Sequence, residues 1–515
     1  MLISLLITLT FSSICSAARI LALLTVNSRS HFLVMEPLLL ELHQRGHHLT
    51  VVSSFPHKRP LENYTDIDFS SQFPPLISVL TPDIYRKKIS MMFLDINVVT
   101  GIHMAACEQL LRDEKLLNLQ NETFDLVIGE IFGSDCFNYI PYKLKAPFIS
   151  WVISPVSAWT SDRTGLPDNP SYIPNYFLEY GSEMNLFQRI YSTVSLICAK
   201  MLYNYYSEIP SHRLAENVFK EKLPSMDEVN RQTSLVFVNS HFVFSQSRPF
   251  PPNVVEVGGI HIRGTQPLPE DIKLFMDRAT HGVILFSFGS LVRASSLPPR
   301  VIRMFLDVFS TLPQRVIFKY EDELADTPPN VMLKKWLPQL DIIAHPNVRA
   351  VISHGGLAST TEAVHFGKPL VAIPFFGDQF QNANNVVRHG CGVLLDIASI
   401  SERDISNALA AVLNDSRYKD NMRRLSQQFR DRPMTALQTA VYWTEYVIRH
   451  QGAPHLRPAS VNLPLYQYLL LDVIAVLVTS LIVMVFVIYG FVHFMYLRLK
   501  TITHRIRISK IKKTN

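Results

Sequence analysis

The chain has 515 residues, of which 48% are hydrophobic, so it is long enough for two domains that each bury a core. Its formal net charge is +6, but seven Lys/Arg and no acidic residue lie between Leu497 and Asn515, and subtracting them leaves −1 for the rest. The body therefore has no basic excess that would indicate nucleic-acid binding.

The first residues, "MLISLLITLTFSSICSA", predict a signal peptide over residues 1–17. An apolar core runs from Leu2 to Phe11, and the small residues Cys15 and Ala17 stand where a signal peptidase reads. The alternative is a buried first strand. It is disfavoured because a better strand, Ile20 to Thr25, follows immediately.

Residues 18–255 predict a first α/β domain. A strand, the loop "NSRSH", a helix from Phe32 to Arg45 and the strand "HHLTVVS" form a β-α-β unit of the kind that builds parallel sheets. Further strands are predicted at Asp125 to Glu130 and Pro147 to Ile153. The proline-rich stretch "SRPFPPNVVEVGG" then indicates a domain boundary near residue 255.

Residues 256–455 repeat this pattern. The predicted strands are "GVILFSFGS", "RVIFKY", "RAVISHGG", "PLVAIPFFGDQ" and "CGVLLD", and the last helix runs from Met434 to His450. The expected fold class is α/β, with two Rossmann-like doubly wound domains facing across a cleft. A ligand is expected at the carboxyl ends of the strands.

The segment Val473 to Tyr496 has no charged side chain and is long enough to be a transmembrane helix. The basic tail, residues 497–515, is then cytoplasmic by the positive-inside rule, and the body lies on the other side of the membrane. Three sequons would be open to glycosylation there: Asn63, Asn121 and Asn414.

The cysteines that remain after signal removal are Cys107, Cys136, Cys198 and Cys391. Their scattered spacing fits neither a disulfide scaffold nor a metal knuckle. We therefore expect no essential disulfide and no metal site.

The stretch "VISHGGLASTTEAV" joins a strand to a helix. Gly355 and Gly356 let the backbone approach a ligand, the helix N-terminus attracts a phosphate, and His354 can donate to it. A capping box from Ser359 to Glu362 explains the same residues without a ligand, and the stretch alone does not decide between the two.

Neighbouring elements favour the phosphate. Trp336 and Gln339 in "WLPQ" offer an aromatic face and an amide suited to a nucleobase. Asp378 and Gln379 end another apolar run at the same predicted sheet edge.

From Trp336 to Asn385 the sequence closely resembles the signature of the UDP-glycosyltransferases, a family of membrane-anchored enzymes that includes the animal UDP-glucuronosyltransferases. "WLPQ", "HP", "SHGG" and "GKPLVAIPFFGDQ" stand in the family's order and spacing. The resemblance extends to "SHFLVMEPLLLELHQRGHHLTVVS", "GLPDNPSYIPNYF" and "FSFGS". It therefore implies the two-domain GT-B architecture.

The resemblance also implies donor-site roles. Trp336 would stack near the uracil, Gln339 would hydrogen-bond it, and Ser290 would face the nucleotide. Other residues would hold the diphosphate (His354, Gly356, Ser359), the ribose (Glu362) and the sugar hydroxyls (Asp378, Gln379). Ala358 departs from the family, which often has Asn there, so more of the phosphate binding would depend on backbone N–H groups.

For catalysis the resemblance implies His31 as the general base that removes a proton from an acceptor hydroxyl. The family pairs this histidine with an aspartate. The aligned position holds Glu130, and Asp135 is the second candidate. The expected reaction is an inverting hexosyl transfer from a UDP-sugar to a small lipophilic acceptor, with glucose favoured and glucuronate possible. No metal or cofactor is expected, because the UDP-sugar is a co-substrate.

Lys512 and Lys513 match a dilysine retrieval signal. With the resemblance they imply a single-pass type I protein of the endoplasmic reticulum membrane whose body is lumenal. A homo-oligomer is left open. The alternative function is a catalytically weak or inactive UDP-sugar-binding membrane protein of the same fold.

Overall fold

The computed structural model describes residues 17–79, 91–245 and 247–511. The predicted signal peptide, apart from Ala17, and the dilysine signal lie outside these ranges. The chain divides between Pro458 and Ala459 into two compact units.

The first unit contains two parallel sheets. The first sheet has seven strands in the order β3-β2-β1-β4-β5-β6-β7, and the second has six in the order β10-β9-β8-β11-β12-β13. In both, the strand order reverses on either side of an early strand, as in doubly wound folds. The strands are β1 (Arg19–Leu23), β2 (His48–Ser53), β3 (Tyr64–Asp68), β4 (Leu126–Glu130), β5 (Phe148–Val152), β6 (Leu235–Val238), β7 (Val254–Glu256), β8 (Val283–Ser287), β9 (Arg315–Lys319), β10 (Val331–Lys334), β11 (Val348–Ser353), β12 (Leu370–Ala372) and β13 (Gly392–Leu394).

Helices cover both faces of the sheets. Those that precede β7 in the chain are α1 (Arg29–Gln44), α2 (Met91–Leu110), α3 (Glu114–Asn118), α4 (Tyr139–Leu144), α5 (Thr160–Thr164), α6 (Leu186–Tyr203), α7 (Ile209–Phe219), α8 (Met226–Asn230) and α9 (Phe242–Ser245). Those that follow are α10 (Glu270–Asp277), α11 (Pro299–Ser310), α12 (Gln339–Ala344), α13 (Leu357–His365), α14 (Gln379–Arg388), α15 (Glu402–Asn414), α16 (Ser416–Arg430) and α17 (Ala436–Arg449).

Alternate residues of the central strands belong to separate hydrophobic cores. On β1, Ile20 and Ala22 belong to one apolar cluster, whereas Leu21 and Leu23 belong to another on the opposite face. Successive side chains of a strand point to opposite faces, so a strand buried on both faces reads as a continuous apolar run. This is why the central strands could be recognised in the sequence.

The last helix of the first unit returns to the first sheet. In α17, Ala440, Val441 and Val447 pack in the same cluster as Ile20 and Ala22, and the helix contacts α1. The fold class predicted from the sequence is confirmed, while the limits 18–255 and 256–455 stay a prediction.

The disulfide part of the cysteine expectation is wrong, because two of the four cysteines are bonded to each other. Cys107 on α2 and Cys136 are joined in a disulfide, and both side chains are fully buried. Twenty-nine positions separate them in the chain, but α2 packs next to the turn that follows β4. Sequence spacing could not show this proximity.

The second unit contains α18 (Leu465–Tyr468) and α19 (Leu471–Ile511). Within α19, the range Leu471–Ser509 is long and apolar enough to cross a membrane, with a mean hydropathy of 2.9 in its most apolar window. The predicted span Val473 to Tyr496 lies within this helix, and the first part of the basic tail continues it.

Candidate active site

His31 and Glu130 form a direct pair at the carboxyl ends of two neighbouring strands. Nδ1 of His31 lies 2.5 Å from Oε1 of Glu130, and both side chains are buried. β1 and β4 pair in parallel, with Leu23 opposite Gly129, so the segments that leave both strands meet at one edge. Phe132 packs edge-on against the imidazole, with ring centroids 4.7 Å apart. The carboxylate and the phenyl ring therefore fix the orientation of His31.

The local position of His31 differs from the expected loop. α1 begins at Arg29, so His31 lies in its first turn. The backbone carbonyl of Ser28 accepts hydrogen bonds from the N–H groups of His31 and Phe32, which extends the helix toward the strand. His31 is thereby held on regular backbone.

Asp135, the second candidate partner, is engaged elsewhere. Its two carboxylate oxygens accept hydrogen bonds from Nη1 and Nη2 of Arg163, both at 2.9 Å. The side-chain amides of Asn138 and Asn230 also donate to this carboxylate. The structure therefore brings Glu130 to His31 and ties Asp135 into a buried structural ion pair.

His354 directly follows β11, and its imidazole ring packs against the backbone of two glycines. A Cβ added to Gly289 would come within 2.6 Å of the imidazole, and one added to Gly356 within 2.3 Å. Burial, assisted by the charge of Lys319, lowers the pKa of His354 to about 4. The ring is neutral at pH 7 and can donate one N–H to an anion.

The helix after the glycines starts earlier than the capping-box alternative requires. α13 begins at Leu357, with Gly356 at the N-cap position and no side-chain cap, so Ser359 lies inside the first turn. Gly356 has no side chain that could cover the first N–H groups of the helix. The capping-box interpretation of Ser359 is wrong, and the helix start is open to an anion.

Three predicted donor-site residues form one cluster. Nε2 of Gln339 donates to Oγ of Ser359 at 2.9 Å and to Oε2 of Glu362 at 2.7 Å. All of these groups lie at the start of α12 or in the first two turns of α13. Trp336, just before α12, is 51% exposed.

On the other side of His354, the two sheets' domains touch. The N–H of Ser78 donates to the carbonyl oxygen of Ser290 at 2.7 Å, and the Ser290 hydroxyl is buried. Lys319, which ends β9 and is 5% exposed, donates to Glu321 at 2.7 Å and to the Ser78 hydroxyl at 3.4 Å. A buried cation thus lies close to the neutral His354.

Asp378 and Gln379 lie in the connection that follows β12, at the start of α14. Asp378 accepts a hydrogen bond from the Asn382 amide at 2.9 Å, and burial raises its pKa to about 6, opposed in part by the Asn382 bond and the charge of His31. The side-chain oxygen of Gln379 accepts from the N–H groups of Phe375 and Phe376. Asp378, one of the predicted sugar-binding residues, is therefore close enough to His31 for their charges to interact. Gln379, the other, also binds the backbone of its own loop.

Two charged residues near the site were missed in the sequence. Lys319 ends the apolar strand "RVIFKY", and Asp95 interrupts the apolar run "MMFLDINVV". A single charge in an apolar run is a usable signal for a buried functional or structural charge. Their positions at the site depend on how the two domains meet.

Within residues 17–79, 91–245 and 247–511, no group of three or more His, Cys, Asp or Glu side chains is arranged to hold a metal ion. The sequon residues Asn63, Asn121 and Asn414 are all exposed. Each is therefore accessible to a modifying enzyme.

Comparison with known proteins places this site in context. The family model described as "UDP-glucoronosyl and UDP-glucosyl transferase" matches residues 20–506. "UDP-glucosyltransferase 2" of Dactylopius coccus is 42% identical over 481 residues, covering 92% of this chain and 93% of that protein. "UDP-glucuronosyltransferase 1A3" of Homo sapiens is 30% identical over 473 residues, covering 89% and 88%.

Solved structures agree on the fold. The calicheamicin glycosyltransferase CalG4 superposes with a TM-score of 0.54 at 18% identity, covering 84% of this chain and 99% of that one. The glycotransferase of kitacinnamycin gives 0.55 at 16% identity, with the same coverage of both chains. The two sheets thus have the GT-B arrangement.

Proposed function

Because the chain belongs to the family of UDP-glucuronosyl and UDP-glucosyl transferases, we propose that it transfers a hexosyl group, with glucose favoured over glucuronate, from a UDP-sugar to a hydroxyl of a small lipophilic acceptor. Relatives with both glucosyl and glucuronosyl names match over most of the chain. The UDP-glycosyltransferase activity is the family's. The sugar, the acceptor and the residue roles are our proposal.

The observation that carries the proposal is the His31–Glu130 pair. His31 Nδ1 is bound to the carboxylate, so Nε2 is the nitrogen left to take a proton from an acceptor hydroxyl. Glu130 orients the ring and stabilises the imidazolium that forms. As the hydroxyl attacks the anomeric carbon from one face, the bond to UDP breaks on the other and the configuration inverts.

The donor would lie along the second sheet. The diphosphate would meet His354, the N–H groups at Gly356 and the start of α13, which place positive character where negative charge develops on the leaving UDP. Trp336 and Gln339 would bind the uracil, Glu362 the ribose, and Asp378 with Gln379 the sugar. Residues 18–255 would supply the acceptor pocket, and residues 256–455 would hold the donor.

Ala358 is compatible with this donor site. It lies in the first turn of α13, where the backbone N–H groups carry no side-chain cap. The phosphate can therefore be bound by the backbone where other members use a side chain. The Ala358 departure is therefore compatible with binding of the donor, which both the transferase and the inactive UDP-sugar-binding alternative require.

The test is a donor and acceptor screen on the full chain in microsomes, with labelled UDP-glucose, UDP-glucuronate and a panel of phenols. We expect a glycoside with at least one phenol and the faster rate with UDP-glucose. UDP binding without turnover of any acceptor would favour the inactive alternative. Matched microsomes carrying His31→Ala provide the background.

We also propose that α19 anchors the protein in the endoplasmic reticulum membrane, with a lumenal body and a cytoplasmic tail. The apolar segment of α19 and the basic residues that follow this segment support this orientation. A glycosidase-sensitive mobility shift that disappears in the triple variant Asn63→Gln, Asn121→Gln and Asn414→Gln would support a lumenal body. Protease digestion of the body in sealed microsomes would contradict it.

A further inference from the structure

Asp95 on α2 is a buried carboxylate that the proposed mechanism does not use. It is 8% exposed, and its Oδ2 accepts a hydrogen bond from the backbone N–H of Gly377 at 3.2 Å. Gly377 directly precedes Asp378 and Gln379. A carboxylate from the first sheet's domain is therefore held against the loop that carries the proposed sugar ligands.

Asp95 and Asp378 both lie near Gly377 and both influence the phenol of Tyr176. A Cβ added to Gly377 would lie 3.8 Å from the hydroxyl of Tyr176. Burial, followed by the negative charge of Asp378 and then that of Asp95, raises the pKa of Tyr176. Two carboxylates and a phenol thus surround one short loop.

Only weak interactions stabilise the charged forms of these two carboxylates. Burial raises the pKa of Asp95 to about 6, and the Gly377 N–H opposes this shift. At Asp378 the opposing groups are the Asn382 amide and His31. None of them is a lysine or an arginine. Among the described residues, two carboxylates, Asp95 and Asp378, are therefore hydrogen-bonded to this loop or within it, and both contribute a negative potential there.

Such a field distinguishes between sugars. A neutral hexose presents hydroxyl groups, which donate hydrogen bonds to carboxylates. A uronate brings a carboxylate of its own, and like charges in a partly buried site repel. The discrimination comes from unfavourable contacts with the wrong donor as much as from favourable contacts with the right one.

We propose that Asp95 is a specificity-determining residue for the donor: it accepts hydroxyls of a neutral hexose and disfavours UDP-sugars that carry a carboxylate, whereas Asp378 binds hydroxyls that these sugars share. This rests on the proposed UDP-sugar transfer. In this proposal Asp95 accepts a hydrogen bond from the donor sugar, and its hydrogen bond to Gly377 also positions the loop.

The decisive variant is Asp95→Asn, because the amide oxygen can still accept from Gly377 while the charge is lost. The full chain in microsomes is assayed with one phenol and with UDP-glucose or UDP-glucuronate. Relative to wild type, we expect the ratio of kcat/KM for glucose over glucuronate to fall about tenfold, since one like-charge contact is removed. The Kd of UDP, which lacks the sugar, should not change.

The matched control is Glu221→Gln, which also removes one negative charge from the first sheet's domain. Its side chain is 43% exposed and pairs with Lys143 on the surface. The donor ratio of this variant should equal that of wild type. A ratio that falls in both variants would assign the effect to overall charge and overturn the proposal.

Other outcomes also decide. An unchanged ratio in Asp95→Asn, an equal loss of kcat/KM with both donors, or a wild-type preference for UDP-glucuronate would each overturn the specificity role. If no donor is turned over but UDP binds, the proposed function fails instead. Competition of UDP-glucose and UDP-glucuronate against UDP then tests Asp95 by the same ratio, measured in Kd.

Discussion

Glu130 is bound to His31 through a 2.5 Å contact, whereas Asp135, five positions further on, is bound to Arg163. Both carboxylates follow β4, yet their environments give them different tasks. One meets an imidazole at the edge of the sheet. The other neutralises a buried guanidinium.

His31→Ala should abolish transfer while leaving UDP-sugar binding nearly intact, because the imidazole is on the acceptor side of the site. The loss expected for a general base is about 10²- to 10⁴-fold in kcat. Single-turnover rates and the Kd of UDP, measured on the same membranes, check this. Retained turnover in this variant would contradict the assignment of the base.

Glu130→Gln should lower kcat strongly and leave the Kd of UDP unchanged, because the amide cannot stabilise the imidazolium as the carboxylate does. Its denaturation midpoint should stay close to that of wild type. Asp135→Asn serves as the comparison. A larger loss of turnover in folded Asp135→Asn than in Glu130→Gln would reverse the pairing.

Asp135→Asn should mainly destabilise the protein. It leaves the buried Arg163 guanidinium without its hydrogen-bonded counter-charge and with only the Glu208 carboxylate, 3.9 Å away, and breaking a buried pair typically costs about 3–5 kcal/mol. Denaturant unfolding of the detergent-solubilised chain measures the change. A stability equal to that of Glu130→Gln would show that Arg163 is compensated by other groups.

Gly356→Ala should weaken UDP binding at least about tenfold, because a Cβ placed 2.3 Å from the His354 ring forces the imidazole or the helix start to move. Gly264→Ala is the matched control, since a Cβ there meets no atom within 4 Å. Calorimetric titration with UDP measures both. Equal affinities would mean that His354 is not held at the diphosphate by its close contact with the glycine.

Glu362→Ala should raise the Kd of UDP, because the carboxylate is the proposed acceptor for ribose hydroxyls. A charged hydrogen bond of this kind contributes about 1.5–3 kcal/mol, or roughly ten- to a hundredfold in affinity. Binding of uridine, which keeps the ribose but lacks the phosphates, should weaken by a similar factor. A weaker affinity for UDP without a weaker affinity for uridine would contradict the proposed contact of Glu362 with the ribose.

Asp95→Asn should also change the pH dependence of stability. The pKa of Asp95 is raised from 3.8 to about 6 in the folded protein, so the folded state binds the proton more tightly and wild-type stability falls as pH rises from 3.8 to 6. The Asp95→Asn variant has no carboxyl group at this position, so its stability does not fall in this way as pH rises. It should therefore be more stable than wild type at pH 7, by up to about 3 kcal/mol, and no more stable at pH 3.5.

Thermal denaturation of both proteins from pH 3.5 to 7.5 measures this difference. Its growth with pH is the informative quantity, since a constant offset would come from packing alone. A difference that shrinks as pH rises would have the wrong sign for a raised carboxyl pKa. The control Glu221→Gln should show no comparable trend.

Much of this protein could be predicted from its sequence. The central strands are buried on both faces, so β1, β8 and the second half of β11 appear as apolar runs, and polar residues after them mark the edge where ligands are expected. The signature from Trp336 to Asn385 is local and nearly continuous. The family could therefore be identified without coordinates, and the candidate donor-site residues could be named.

Tertiary structure decided what depends on contacts between distant segments. The choice of Glu130 over Asp135, the Cys107–Cys136 disulfide and the contact of Asp95 with Gly377 join residues up to 282 positions apart. Strand register and domain contact set these distances, and neither leaves a periodic pattern in the chain. Local periodicity determines which residues are buried and where strands end, but partners across the site are determined only when the separate elements pack together.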